Sequence, residues 1–319
     1  MLKHKFISKL SMLFAATFTV LLPMHAQERE PATTGYARMT VTLRVQGDNK
    51  RVPTVTRNDV VVTQSKKSLQ VIGWTPASGS RAGLDLFVLL DDASDSSLGS
   101  HLDDLRSFIT AQPQSTAVGV GYMRNGTVQI AQNFTTDHIL AAKALRLPLA
   151  STGAYASPYL SLIDLIKRWP ENGNRREVVM ITDGIDRFRS ENRFSGPRFI
   201  SSDVDSASRA AQRTGTIVDS IYVRGVGRQA RNYWEVTNGQ NGIAKLSDAT
   251  GGESYFLGTQ GPVSLAPYLE DVQRSLDNQY LLEFHALPGK NAGPQYINLN
   301  TPVAGVELDS ADSVWVDAK

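Results

Sequence analysis

No cysteine occurs in the 319-residue chain, which excludes disulfides, thiolate zinc sites and a cysteine nucleophile. Histidine is scarce too. Of the five present, His4 and His25 fall in an N-terminal stretch that reads as a leader. His101, His138 and His285 stand far apart, and neither H-E-x-x-H nor G-x-S-x-G is present. A metal-assisted hydrolase is therefore the least favoured reading, and the protein is expected not to be an enzyme. Repeats of roughly 20–50 residues are absent as well, which argues against solenoids and propellers.

Long apolar runs are equally rare. Leu10 to Leu22 (LSMLFAATFTVLL) is uncharged and mostly apolar, preceded by Lys3, Lys5 and Lys9 and followed by Pro23 to Ala26. That layout predicts a secretory signal peptide over residues 1–26, cleaved after Ala26. At 1.5 Å per residue, such a run falls short of a ~30 Å hydrocarbon core. No later segment approaches spanning length, so no membrane span is expected after leader removal, and the location is expected to be secreted or periplasmic. Loss of three lysines and no acids would turn the formal charge of +2 into −1. Nothing in that balance points to a nucleic-acid partner. Without disulfides, the fold must rest on core burial; 41% hydrophobic residues allow it.

What is present divides into three parts. Residues 36–75 hold short alternating runs (Met39 to Val45, Val60 to Thr63, Leu69 to Trp74), which predict antiparallel strands. Three strands make a poor core alone and need a partner sheet. After the small-residue linker Pro76 to Gly83, residues 84–276 alternate strand and helix patterns. Leu84 to Leu90 is nearly continuous apolar, and Leu98, Leu102, Leu105 and Ile109 recur at helical spacing. Residues 278–316 return to strand-like pieces, expected to pair with 36–75. The fold class predicted is α/β: a doubly wound, mostly parallel, Rossmann-like sheet with a small β-sandwich made from both chain ends.

Three turns with oxygen-bearing side chains follow or flank the predicted strands. Asp92, Ser94 and Ser96 form D-x-S-x-S after the first apolar strand, and side chains two apart in extended chain share a side. Thr182-Asp183-Gly184 follows the strand Glu177 to Ile181. Ser157 precedes Pro158 at a helix start, where it can cap the helix or act as a ligand. Carboxylates and hydroxyls without sulfur or imidazole suit one hard cation: Mg²⁺, Mn²⁺ or Ca²⁺.

On these residues the chain resembles a von Willebrand factor A domain, and its flanks resemble the VWFA-related proteins abundant in acidobacteria. The resemblance implies a metal-ion-dependent adhesion site that uses Asp92, Ser94, Ser96 and Asp183. Ser157 would stand for the family's threonine, with Thr152 as the alternative, and Asp95 as a possible additional ligand. The implied function is a protein-binding module in which the ion captures a carboxylate of a protein partner. The alternative is a structural or interaction protein whose metal site has degenerated. Ala93 and Asp95 replace the usual glycines of the first loop.

Two features stand outside this scheme. Asp186, Arg187, Arg189 and Arg193 could orient an acidic partner, but read rather as a solvated loop. Tyr233 and Trp234 are expected on a long loop that runs to a helix near Gly242, either exposed as a contact patch or tucked against the sheet.

Overall fold

Every position of Leu84–Asp91 is buried, as befits a strand covered on both faces. The computed structural model describes residues 35–45, 53–151, 153, 155–190, 200–256, 258 and 261–317. The expected leader, Thr152 and Arg193 lie outside the described residues.

In chain order the first strands are β1 (Gly35–Val45), β2 (Val61–Gln64), β3 (Lys67–Leu69) and β4 (Val71–Pro76). The central series begins with β5 (Leu84–Asp91), α1 (Leu102–Thr110), β6 (Thr116–Arg124), β7 (Thr127–Thr135), α2 (His138–Lys143) and α3 (Pro158–Lys167). It continues with β8 (Arg175–Thr182), α4 (Arg187–Ser190), α5 (Ser202–Thr214), β9 (Thr216–Tyr222), α6 (Tyr233–Thr250), β10 (Ser254–Tyr255) and α7 (Ala266–Asp277). Last come β11 (Gln279–Ala286), β12 (Gly293–Tyr296), β13 (Asn298–Asn300), β14 (Val306–Ser310) and β15 (Ser313–Val316).

The central sheet has the order β10-β9-β8-β5-β6-β7. All its neighbours are parallel except β7, an antiparallel edge formed by the β6–β7 hairpin. Period-two alternation along β5 shows how it is covered. Leu84, Leu86, Val88 and Leu90 join residues of α1, α2 and α7 in one core. Phe87 and Leu89 join residues of α3, α5 and α6 in the other. Strand order reverses at β5, so the crevice at the carboxyl ends of β5 and β8 is the topological switch point, where such sheets receive ligands.

The chain ends pair with each other. β1 lies between β11 and β14, and β4 completes the antiparallel sheet β14-β1-β11-β4. Smaller sheets, β13-β2-β3 and β12-β15, help bury Val41, Leu43, Leu282, Phe284 and Val316 in a third core. This is the small sandwich that the alternating flanks predict. β14 is not evident from sequence because Glu307 and Asp309 break its apolar character. Arg44 of β1 supplies the compensation through an ion pair with Asp309.

A second difference concerns the expected loop before Gly242. The helix α6 begins at Tyr233 and passes through Gly239 and Gly242. Glycine weakens a helix interior by about 1 kcal/mol, yet here a side chain has no room. A Cβ at 239 would lie 2.3 Å from the carbonyl oxygen of Asp183, and one at 242 would lie 2.2 Å from Oη of Tyr159. Close packing against the end of β8 and against Tyr159 of α3 offsets the weak propensity.

Candidate functional site

Loops after β5, β8 and β9 meet at the switch point. The β9 loop lies across the β5 loop and is fixed by main-chain bonds: Asp95 N–H donates to Arg224 O at 2.8 Å, and Val226 N–H to Ala93 O at 2.8 Å. Ser94 and Gly225 form an isolated antiparallel bridge between the two loops.

Beneath this crossing sits a buried charged cluster. Asp91, the last residue of β5, accepts from Ala93 N–H at 2.9 Å and from the Thr182 hydroxyl at 2.7 Å. Burial, and then the nearby charge of Asp183, push its carboxyl up to about 6. Arg187 and the two hydrogen bonds limit the rise. Asp183 accepts from Arg187 Nη2 at 2.5 Å on Oδ2 and from Nη1 at 3.2 Å on Oδ1. Oδ1 also accepts from Ile185 N–H at 3.0 Å. The two side chains of this fork-shaped pair are 4% and 1% exposed. Burial opposes the charge on Arg187, but Asp183, Asp91 and Glu235 together hold its pKa above the ordinary arginine value. For Asp186 and Arg187 the reading as a solvated loop is therefore corrected. Arg187 is 3% exposed, and Asp186 is buried, accepting from the Ser201 hydroxyl at 2.5 Å.

The other expected ligands are placed as follows. Asp92 turns to Arg146, with Oδ1 to Nη1 at 2.7 Å and Oδ2 to Nη2 at 3.0 Å. That guanidinium stacks on the Tyr122 ring at 3.7 Å, which fixes its position. Ser94 is buried, and among the described residues its Oγ has no hydrogen-bond partner. Asp95 caps the short 3-10 turn Ser96–His101 by accepting from Ser97 N–H at 2.9 Å, and Ser96 is exposed at the start of that turn. Ser157 caps α3, its Oγ accepting from Leu160 N–H at 3.4 Å.

Sequence reasoning missed Asp91. Its signal was its place at the very end of the apolar strand, one residue before the D-x-S-x-S. Moving that pattern by one residue exchanges the side on which its members point. Asp91 leads the alternate set Asp91, Ala93 and Asp95, in which alanine stands where a hydroxyl is needed.

A hard divalent ion needs anionic oxygens open to it. Here both oxygens of Asp183 face Arg187, both of Asp92 face Arg146, and those of Asp91 are taken by an N–H and a hydroxyl. The Arg187 guanidinium already supplies positive charge that both Asp183 and Asp91 feel, and a second cation there would be repelled. Among the described residues no group of three or more acidic or imidazole side chains is arranged to hold a metal. The residues as placed do not fit a divalent ion.

No family model matches the chain, and no curated protein does. Several solved structures are similar. BatB from Bacteroides thetaiotaomicron is 14% identical, with 61% of this chain and 97% of that one covered and a TM-score of 0.44. An aerotolerance-related membrane protein from Bacteroides fragilis is 12% identical, with 61% and 99% covered and a TM-score of 0.43. A von Willebrand factor type A structure from Catenulispora acidiphila is 10% identical, with 89% and 75% covered and a TM-score of 0.41. The strand order of the central sheet, its antiparallel edge and the helices on both faces give this chain a doubly wound α/β fold, the class that the resemblance to a von Willebrand factor A domain implies.

Proposed function

We propose that this chain is a protein-interaction module that works outside the cytoplasm and engages its partner without a divalent cation. The observation that carries this reading is the buried Asp183–Arg187 pair under the β9 loop. In a metal-dependent adhesion site, an ion with an open position attracts a partner's carboxylate. Here the positive charge belongs to Arg187, which directs its Nη atoms inward to Asp183 and is covered by the loop. Binding then falls to the surface of the rim and not to an ion at its centre. The layout of residues 1–26 supports the location.

Catalysis is not part of this reading. His138 is buried on the main-chain carbonyl of Thr116 at 2.8 Å, while His101 and His285 belong to other elements. The test is a cross-linked pull-down from the exported fraction, with and without chelator, beside a Mg²⁺ and Mn²⁺ titration followed by thermal unfolding. The expected result is the same partner set in both pull-downs and no shift of Tm with metal. A partner lost to chelator, or a metal-induced Tm gain that disappears in Asp183→Asn, would restore the ion-dependent site. Capture of no partner under any condition would defeat the module reading itself.

A further inference from the structure

The loop that closes the rim carries a surface of its own. From the loop after β9 into the first turn of α6, the sequence Arg224 to Trp234 contains three arginines, two aromatics and no acid. Arg224, Arg228 and Arg231 are exposed, and among the described residues none of their guanidinium groups enters an ion pair or a hydrogen bond. Tyr233 and Trp234 follow at once, 64% and 67% exposed, with ring centroids 5.6 Å apart in an edge-to-face pair. The strip has a fixed backbone. Its first half is pinned to the β5 loop, and Asn232 caps α6 by accepting from Trp234 N–H at 3.0 Å and Glu235 N–H at 3.3 Å.

Most acids near the strip are engaged, and Glu235, the half-buried residue after Trp234, adds its charge to those that act on Arg187. Asp91 and Asp183 are buried in the cluster, Asp92 faces Arg146, Asp95 caps a turn and Asp186 holds Ser201. Within residues 224–234 the exposed charge is of one sign, with Asp95 and Glu235 half-exposed at its borders, and it stands next to the exposed rings of Tyr233 and Trp234. Exposed aromatics and arginine are the side chains that most often carry binding energy at protein interfaces.

We infer that this strip docks an acidic peptide segment of a protein partner, with carboxylates on Arg224, Arg228 and Arg231 and an apolar side chain against Trp234 and Tyr233. The inference deepens the module reading, since it names the partner chemistry at the same rim. A nucleic acid is the less fitting occupant: three guanidinium groups on one loop and a formal charge of +2 fall short of the strongly basic balance that a phosphate backbone selects.

The test is fluorescence anisotropy of the purified protein with three labelled probes: a glutamate–phenylalanine peptide, its lysine–phenylalanine counterpart and a single-stranded oligonucleotide. The glutamate peptide is expected to bind and to weaken as salt rises, and the lysine peptide is expected not to bind. Trp234→Ala, and Arg228→Glu with Arg231→Glu, should each weaken binding about tenfold or more at unchanged Tm, because these side chains are exposed. Failure of the glutamate peptide to bind, equal binding of both peptides, tighter binding of the oligonucleotide, or indifference to the substitutions would each overturn the inference. The chelator pull-down separates the two readings. Partners still captured by both variants would leave the module in place and remove the strip, whereas a parent protein that captures nothing would remove the module while the peptide titration still judges the strip.

Discussion

Oδ2 of Asp183 lies directly under Gly225: a Cβ at position 225 would stand 1.8 Å from that oxygen and 2.9 Å from Nη2 of Arg187. Gly225 is not among the glycines with positive φ, so space and not backbone conformation excludes a side chain. Gly225→Ala must lift the β9 loop or split the ion pair. Overpacking of this kind costs about 1–3 kcal/mol, and chemical denaturation should show a loss in that range. A variant as stable as the parent would mean the loop does not seat on the carboxylate.

Arg187→Ala would leave Asp183 and Asp91 buried without their counter-charge. Removing one partner of a buried pair costs about 3–5 kcal/mol. Part of that loss should return on adding millimolar Mg²⁺, because two carboxylates then lack a cation. The parent should not respond. Thermal unfolding with and without Mg²⁺ checks both halves, and an equal metal response in parent and variant would show that Arg187 is not the resident cation.

Asp91 gives the fold a pH dependence of defined sign. Its carboxyl is raised from 3.8 to about 6 on folding, so the folded state holds the proton more tightly. The stabilising contribution is fully present below pH 3.8 and is lost as pH rises through about 6. Asp91→Asn keeps a neutral group there and should flatten the stability profile across that window. Denaturation midpoints at matched pH values report it; an unchanged slope in the variant would assign the titration elsewhere.

A second buried acid pair joins neighbouring strands. Glu177 of β8 is pushed well above the usual carboxyl range by burial, then by the charge of the neighbouring Asp219 on β9. Gln279 donates to its other side at 2.7 Å. Two buried carboxyl groups this close are expected to share one proton. Glu177→Gln retains a donor and should stay within about 1 kcal/mol of the parent at neutral pH, whereas Glu177→Ala should lose roughly 2–3 kcal/mol. Equal loss in both variants would rule out the shared proton.

Periodicity carried most of the fold. The apolar run of β5 and the spacing of Leu98, Leu102, Leu105 and Ile109 announce a covered sheet, and all these residues are buried. Three weak strands that cannot stand alone implied a partner at the other chain end, and β11 and β14 supply it. The rim was less legible. D-x-S-x-S spacing selects Asp92, but whether the strand stops at Leu90 or includes Asp91 depends on its neighbours and not on spacing. Arg187 looks like a loop cation until the fold sets Asp183 and Asp91 around it. Gly239 and Gly242 resemble a loop for the same reason: the contacts that demand glycine come from β8 and α3.

Pairing of Gly35 with Ala286 also sets an order of assembly. β1 emerges first from any chain made from its N-terminus, yet both strands that flank it follow residue 278. The central sheet holds all its own strands between residues 84 and 255 and can close beforehand. Loop closure over so long a separation is slow, so β1 is expected to pair after the central sheet has closed. The sandwich acts as a late clasp: trimming β11 or β14 would strand β1 as an unpaired edge, a ready template for self-association.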